Sequence, residues 1–278
     1  MTEVAVALRE TAQRLAAVSD TPRLDAELLM AHALGVERQV VLLDPARHHV
    51  PANFDALVAR RLRHEPVAYI LGYRDFWTIR LKVGPGALIP RPDSETLIEA
   101  CLDFARHERK EEWPKRILDL GTGPGTLLYA AMSEWPEARG LGVDSSETAL
   151  GYARANAAAL GLADRAELKQ GNWAEQVSGQ FDLILCNPPY IADNEQLMAD
   201  VAGHEPAGAL FAGTDGLDDY RRIIPDLPRI LAPGGLAILE IGHTQHMLVG
   251  ELAEAAGFKV ARRQDLGGRD RALLLIRP

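Results

Sequence analysis

The chain has 278 residues, a formal net charge of −9, 47% hydrophobic residues and two cysteines. That apolar share supplies a sizeable core, no apolar run reaches the roughly 18 residues of a membrane span, and Glu3, Arg9 and Glu10 interrupt the start where a secretory leader would be continuous. Two cysteines are too few for a disulfide framework, so a reducing cytoplasm is expected, and the acidic balance lacks the overall electrostatic footprint of a nucleic-acid-binding protein.

Up to about Leu71 the pattern is helical. Val4 to Ala17 keeps apolar residues at three- and four-residue spacings. Thr21-Pro22 opens a second helix with Pro in its first turn, Asp25 and Glu27 early, and Leu24, Leu28, Ala31 and Leu34 on one predicted face; Gly35 ends it. Asn53 is placed to cap a third helix whose face includes Leu57 and Leu62. Residues 1–72 are therefore read as a small helical domain.

Between Phe76 and Val83 the period switches to two, which predicts a strand or half of a hairpin, broken by Gly84-Pro85-Gly86. Residues 73–95 are read as hairpin and linker. A helix is predicted from about Ser94 to Phe104, and His107 to Lys115 reads as a solvated loop. From Arg116 onward strands alternate with helices: strands at 117–120, 140–144, 166–168, 181–186, 236–241, around Val260 and at 272–276, with helices at 126–134, through Leu150, Ala153, Ala157 and Leu160, and at 247–256. This alternation predicts an α/β fold, a mostly parallel Rossmann-like sheet over residues 96–278. No repeat or low-complexity segment is present.

Asp119-Leu120-Gly121-Thr122-Gly123-Pro124-Gly125 falls where a strand turns into a helix. Glycines there let backbone approach a ligand closely and take unusual φ angles. The ligand of a doubly wound sheet lies outside the carboxyl ends of the strands, and Asp144, at the end of the next strand about twenty residues on, is where a carboxylate accepts from ribose hydroxyls. The dinucleotide fingerprint would need glycine where Thr126 stands. The Gly-x-Gly-x-Gly form is instead typical of S-adenosylmethionine enzymes. Two plain alternatives stay open: a tight turn without ligand, and Asp144 as a cap of the following helix. Gly171-Asn172-Trp173 follows the third strand, and Trp173 either covers an adenine face or belongs to the core.

Asn187-Pro188-Pro189-Tyr190 leaves an apolar strand, Phe181 to Cys186, that should lie beside the first strand and so beside the glycine loop. Two prolines stiffen the turn and leave free carbonyls. An asparagine oxygen and a proline carbonyl can both accept hydrogen bonds, and together they fit an NH₂ group. A planar amide or aryl amine nitrogen is a weak nucleophile, and two acceptors can aim it and stabilise the positive charge it develops. Tyr190 can stack on the planar group and face a cationic sulfonium. A plain Pro-Pro turn is the alternative.

At these residues the chain resembles the protein-glutamine methyltransferases that modify class I peptide chain release factors. The likeness extends to Glu65-Pro66-Val67-Ala68-Tyr69-Ile70-Leu71-Gly72, to Leu88-Ile89-Pro90-Arg91-Pro92-Asp93-Ser94-Glu95, and to the loop containing Ala209 to Gly213 and Asp215 to Asp218. It covers nearly the whole chain. The resemblance implies a class I methyltransferase sheet and an N-terminal helical bundle that docks the release factor. It implies S-adenosylmethionine as donor, leaving as S-adenosylhomocysteine, and the glutamine of a Gly-Gly-Gln loop as substrate. By position, Gly121, Thr122, Gly123, Pro124 and Gly125 would form the donor loop, Asp144 would hold the ribose, and Asn172 and Trp173 would lie near the adenine. Asn187, Pro188, Pro189 and Tyr190 would bind the glutamine, with Asn187, Pro188 and Tyr190 catalytic and Asn187 also near the donor. The chain departs from the family pattern at Pro124, Thr126 and Leu127, at Asn172 where an acidic residue is common, and at Ala202 and His204.

The histidines show no metal-ligand spacing, so no metal is expected. Cys186 reads as an inert core thiol. Arg91 either reaches the cofactor or pairs with a carboxylate. A monomer without membrane or direct nucleic-acid contact is expected. Rival readings are a glutamine methyltransferase of a ribosomal protein, and a DNA or RNA adenine methyltransferase, which would call for a basic recognition region.

Overall fold

The computed structural model describes residues 3–108 and 113–277. Two compact units emerge: the chain up to Tyr73 together with Leu197–His204, and Arg74–Gln196 together with Glu205 onward.

In the first unit, helices Glu3–Leu15, Pro22–Leu34, Arg38–Leu43, Phe54–Leu62 and Val67–Leu71 enclose a core that includes Val4, Leu8, Leu15, Leu29, Met30, Val41, Phe54 and Val58. Gly35 ends the second helix in the left-handed conformation, φ 67°, which returns its N–H to the carbonyls of Ala31 and His32. The buried face of that helix is not the one periodicity predicts. Leu24 is exposed and Leu28 half-buried, while Asp25, Ala26, Glu27, Leu29 and Met30 point inward. Pairing decides this: the Asp25 carboxylate accepts from Arg61 Nε at 2.8 Å, and Glu27 accepts from Arg23 and from Arg38 Nε, the latter at 2.9 Å. A buried carboxylate is tolerable once it is paired and hydrogen-bonded. Likewise Phe54–Leu62 buries Phe54, Val58 and Arg61, leaving Leu57 and Leu62 half-buried, and Asn53 precedes it without a side-chain capping bond.

Arg61 further donates to the Val18 carbonyl at 3.0 Å and to Asp200 Oδ2 at 3.4 Å. Asp200 lies on the helix Ala199–His204. A stretch inside the span read from sequence as one continuous sheet domain, 96–278, thus folds with the N-terminal helices. A buried guanidinium has five N–H donors to satisfy, and the local sequence of 197–204 carries no sign of where its acceptors will be used.

In the second unit, β1 (Tyr73–Phe76) and β2 (Ile79–Lys82) form a two-stranded hairpin. The alternation from Phe76 to Val83 therefore crosses a turn. Trp77 sits in that turn at φ 53°, held by its backbone N–H on Glu95 Oε1 at 2.8 Å and its indole N–H on Glu134 Oε1 at 2.6 Å. The main sheet comprises β3 (Arg116–Leu120), β4 (Arg139–Asp144), β5 (Ala166–Gln170), β6 (Phe181–Cys186), β7 (Leu231–Glu240), β8 (Lys259–Gln264) and β9 (Asp270–Ile276). Their order is β5-β4-β3-β6-β7-β9-β8. Strands β3 to β7 are parallel; β9 runs antiparallel to β7 and to β8. Near-continuous apolar runs such as Phe181–Cys186 suit strands covered on both faces.

Helices Asp218–Ile223 and Leu227–Ile230 are too short for periodicity to reveal, yet Tyr220, Ile223, Leu227 and Ile230 are core residues. In the stretch expected to be a solvated loop, Trp113 packs against Phe104 and Trp135 at centroid distances of 5.4 and 5.8 Å; residues 109–112 of that stretch lie outside the described residues. Beyond β3 the chain turns into the helix Thr126–Glu134 at Gly125, φ 90°. A Cβ there would fall inside the van der Waals surface of the buried Tyr129 ring, which is itself pinned by its hydroxyl donating to the Ala153 carbonyl at 2.8 Å.

Two stability outcomes are expected. Arg61→Ala strands the buried Asp25 carboxylate and should cost about 3–5 kcal/mol; urea unfolding followed by circular dichroism measures it, and a loss under about 1 kcal/mol would contradict the pairing argument. Gly125→Ala combines left-handed strain with a clash against a fixed ring and should cost about 2–5 kcal/mol, read as a lower unfolding midpoint; an unchanged midpoint would mean that the ring can move aside.

Candidate active site

The glycine loop owes its shape to three left-handed residues, Gly121, Gly123 and Gly125, at φ 73°, 57° and 90°. The N–H groups of Gly121 and Thr122 donate to the Val143 carbonyl at 2.9 and 3.0 Å, tying the loop to the end of β4. Asp144, the last residue of β4, completes the tie: Oδ2 accepts from Gly123 N–H at 2.7 Å and Oδ1 from Ser146 N–H at 2.8 Å. The helix Glu147–Ala159 is capped by Ser146, whose hydroxyl accepts from Ala149 N–H. The capping role weighed for Asp144 thus falls to Ser146, and the Asp144 carboxylate lines the cleft. Burial raises its carboxyl pKa, with the backbone donors opposing.

Asp119, read from sequence only as a strand residue, also lines this cleft. Its Oδ2 accepts from Thr122 Oγ1 at 2.7 Å and Leu128 N–H at 3.2 Å. Its Oδ1 is buried without a partner, and burial pushes the carboxyl up to about 7. The available signal was a charged residue inside an otherwise apolar strand.

Trp173, at φ 49°, donates its indole N–H to Asp219 Oδ1 at 3.1 Å. A Cβ on Gly121 would stand 3.0 Å from Trp173 Cζ3, so the ring lies against the glycine loop and forms a wall of the cleft. The Trp173 side chain also packs against the sheet core. Asn172 lines the cleft and its amide donates to Glu175.

β3 and β6 pair in register with Leu120 opposite Cys186. The next residues, Gly121 and Asn187, are therefore neighbours: a Cβ on Gly121 would lie 3.9 Å from the Asn187 carbonyl oxygen. Asn187 Nδ2 donates to Ser94 Oγ at 3.3 Å. Asn187 and Pro189 line the cleft with Gly121, Thr122, Gly123 and Pro124, whereas Gly125, Pro188 and Tyr190 are not among its lining residues. The Tyr190 hydroxyl donates to Glu240 Oε1 at 3.3 Å and the side chain packs against the core. The Tyr190 carbonyl accepts from Gln245 Nε2 at 3.0 Å and abuts Gly216, φ 70°, where a Cβ would collide with it. A later loop thus buttresses the proline turn. Arg91 pairs with a carboxylate and also lines the cleft: Nη2 donates to Glu205 Oε1 at 2.6 Å, while Glu205 Oε2 accepts from Ile89 N–H at 3.0 Å.

The cleft measures about 400 Å³, within the usual size of a small-ligand site. Its lining includes the acidic side chains Asp119, Asp144 and Asp219 and the cations Arg91 and Arg222, which suits a polar ligand carrying hydroxyls and amines. The unpartnered Oδ1 of Asp119 fits such a group. Among the described residues no cluster of metal ligands occurs, and no helix is long and apolar enough to cross a membrane. Cys186 is buried, with its thiol pKa raised by desolvation.

Residues 6–72 match the family model described as the PrmC N-terminal domain, and residues 103–204 match the methyltransferase small domain. The chain is 44% identical to the release factor glutamine methyltransferase of Rhodospirillum rubrum over 93% of this chain and 80% of that protein. It is 43% identical to that of Cereibacter sphaeroides over 95% of each. Among solved structures it resembles a ribosomal protein L11 methylase from Lactobacillus delbrueckii subsp. bulgaricus, with TM-score 0.51, 24% identity and 71% and 84% of the two chains covered. It also resembles a methyltransferase from Pyrococcus furiosus, with TM-score 0.53, 19% identity and 78% and 96% covered. Those two likenesses bear on the fold, a class I methyltransferase sheet. The sequence relatives go further, and by them the chain belongs to the release factor glutamine methyltransferase family.

Proposed function

We propose that this chain methylates the side-chain amide nitrogen of the glutamine in the Gly-Gly-Gln motif of class I peptide chain release factors, with S-adenosylmethionine as donor. The observation that carries the reading is the adjacency of Asn187 to the glycine loop in one cleft. When bound, S-adenosylmethionine supplies an electrophilic methyl on a sulfonium and leaves as S-adenosylhomocysteine. Gly121, Thr122, Gly123 and Pro124 would bound it, Asp144 would accept from the ribose hydroxyls, and Asn172 and Trp173 would flank the adenine.

Asn187 Oδ1 and the Pro188 carbonyl would accept the two amide hydrogens of the glutamine. That holds the nitrogen lone pair toward the methyl and stabilises charge as it develops on nitrogen. Tyr190 would act by holding the turn through Glu240 and Gln245, with Pro189 forming the cleft wall.

The helices of the first unit would dock the release factor. A cytoplasmic monomer that binds no nucleic acid directly is consistent with the acidic balance of −9. Methylation of a ribosomal protein glutamine would use the same chemistry. The identity of about 40–44% to proteins named for release factors over more than nine-tenths of this chain favours the first substrate.

Asn187→Ala is expected to lower methyl transfer at least about 10³-fold while S-adenosylhomocysteine affinity changes by less than about threefold. Mass spectrometry of release factor, ribosomal protein and nucleic acid after incubation with labelled donor reads both rate and target. Label on nucleic acid with none on a Gly-Gly-Gln peptide would overturn the substrate, and near-normal turnover by the variant would overturn the role of Asn187.

A further inference from the structure

We propose that Ser94 and Glu240 are positioning residues that decide which end of the Asn187 amide faces the cleft. Glu240 is the last residue of β7, one beyond the pairing of Leu239 with Cys186. It is buried, as is Ser94. Ser94 Oγ donates to Glu240 Oε2 at 2.5 Å and accepts from Asn187 Nδ2 at 3.3 Å. The Tyr190 hydroxyl donates to Glu240 Oε1 at 3.3 Å, and the Tyr220 hydroxyl to the Glu240 carbonyl at 2.7 Å.

The polarity of this chain follows from donor counting. An ionised carboxylate only accepts, and a serine hydroxyl has one proton. With that proton committed to Glu240, the Ser94 oxygen can offer Asn187 nothing but an acceptor. The Asn187 amide must then present its NH₂ to Ser94 and its Oδ1 away from it. The two ends of an asparagine amide are nearly the same size, so packing alone would not choose. With the amide reversed, an NH₂ would face the substrate's own NH₂, donor against donor. Burial pushes the Glu240 carboxyl up to about 7, against the donors Ser94 and Tyr190 and the positive charge of Arg271, which favour its ionised form; the Asp93 carboxylate faces it with like charge.

The inference rests on the proposed role of Asn187 as an acceptor, and its test separates the two. Turnover on a Gly-Gly-Gln peptide is measured about one and a half pH units above the Glu240 titration, where that carboxyl is ionised. Ser94→Ala is expected to lower kcat about 10- to 100-fold, leaving S-adenosylhomocysteine affinity within about threefold, with Ser94→Thr restoring most of the rate because it keeps the hydroxyl. Adding Glu240→Leu to Ser94→Ala should lower kcat no further than the slower single variant, since both interrupt one chain. An unchanged kcat for Ser94→Ala overturns the inference. Neutron diffraction of the deuterium-exchanged wild-type protein at that same pH tests it without turnover: deuterons on the Asn187 side-chain atom that meets Ser94 Oγ support it, and deuterons on the other end of the amide overturn it. Wild-type protein that methylates no glutamine counts against the proposed function alone, and the deuteron positions then still decide this one.

Discussion

The parallel pairing of β3 with β6, Leu120 opposite Cys186, is the constraint on which the site depends. Parallel neighbours end at the same edge of a sheet, so whatever follows them in sequence is brought together. Here that places the glycine loop against Asn187-Pro188-Pro189-Tyr190, although the two are far apart along the chain. β4 and β7 flank the pair in the same direction and deliver Asp144 and Glu240 to the same edge. A slip of one residue would turn each of these side chains to the opposite face.

Around that edge, carboxylates do the fixing. Asp144 clamps the glycine loop through backbone N–H groups, Asp119 holds the start of the helix Thr126–Glu134, Glu205 joins Arg91 to the Ile89 backbone, and Glu240 gathers Ser94 and Tyr190. Each is at least partly buried, and burial makes an unpartnered polar group expensive. Rigidity of this kind serves a reaction whose nucleophile is weak, because orientation must supply what basicity cannot. The same logic fixes Asp25 and Arg61 among the N-terminal helices.

The strands and helices from Arg116 onward were legible because their apolar runs are long or clearly periodic; β6 and the helix Thr126–Glu134 end where the pattern puts them. The short helices Asp218–Ile223 and Leu227–Ile230 were not, because fewer than two turns carry no measurable period. The inward face of Pro22–Leu34 was misread because buried ion pairs invert the hydrophobic rule, and pairs such as Asp25 with Arg61 are invisible in a local window. Trp113 hides in a charged neighbourhood, and its aromatic partners lie at distant positions. The glycine loop and the Asn-Pro-Pro-Tyr segment were legible as turns because each is a contiguous run whose residue types state a local backbone need, and Asp144 was legible as the end of its strand.

The sequence by itself therefore determined the kind of fold, the place of the glycine loop at the end of β3, and the place of the Asn-Pro-Pro-Tyr turn at the end of β6. Only the tertiary structure decided how those parts are aimed. It turned Tyr190 onto Glu240, set Trp173 against Gly121, added Asp119 and Ser94 to the cleft, and linked Asn187 through Ser94 to Glu240. The physical reason is range. Backbone preferences and hydrophobic period act over a few residues, whereas the direction of a hydrogen bond depends on which distant group arrives at its other end.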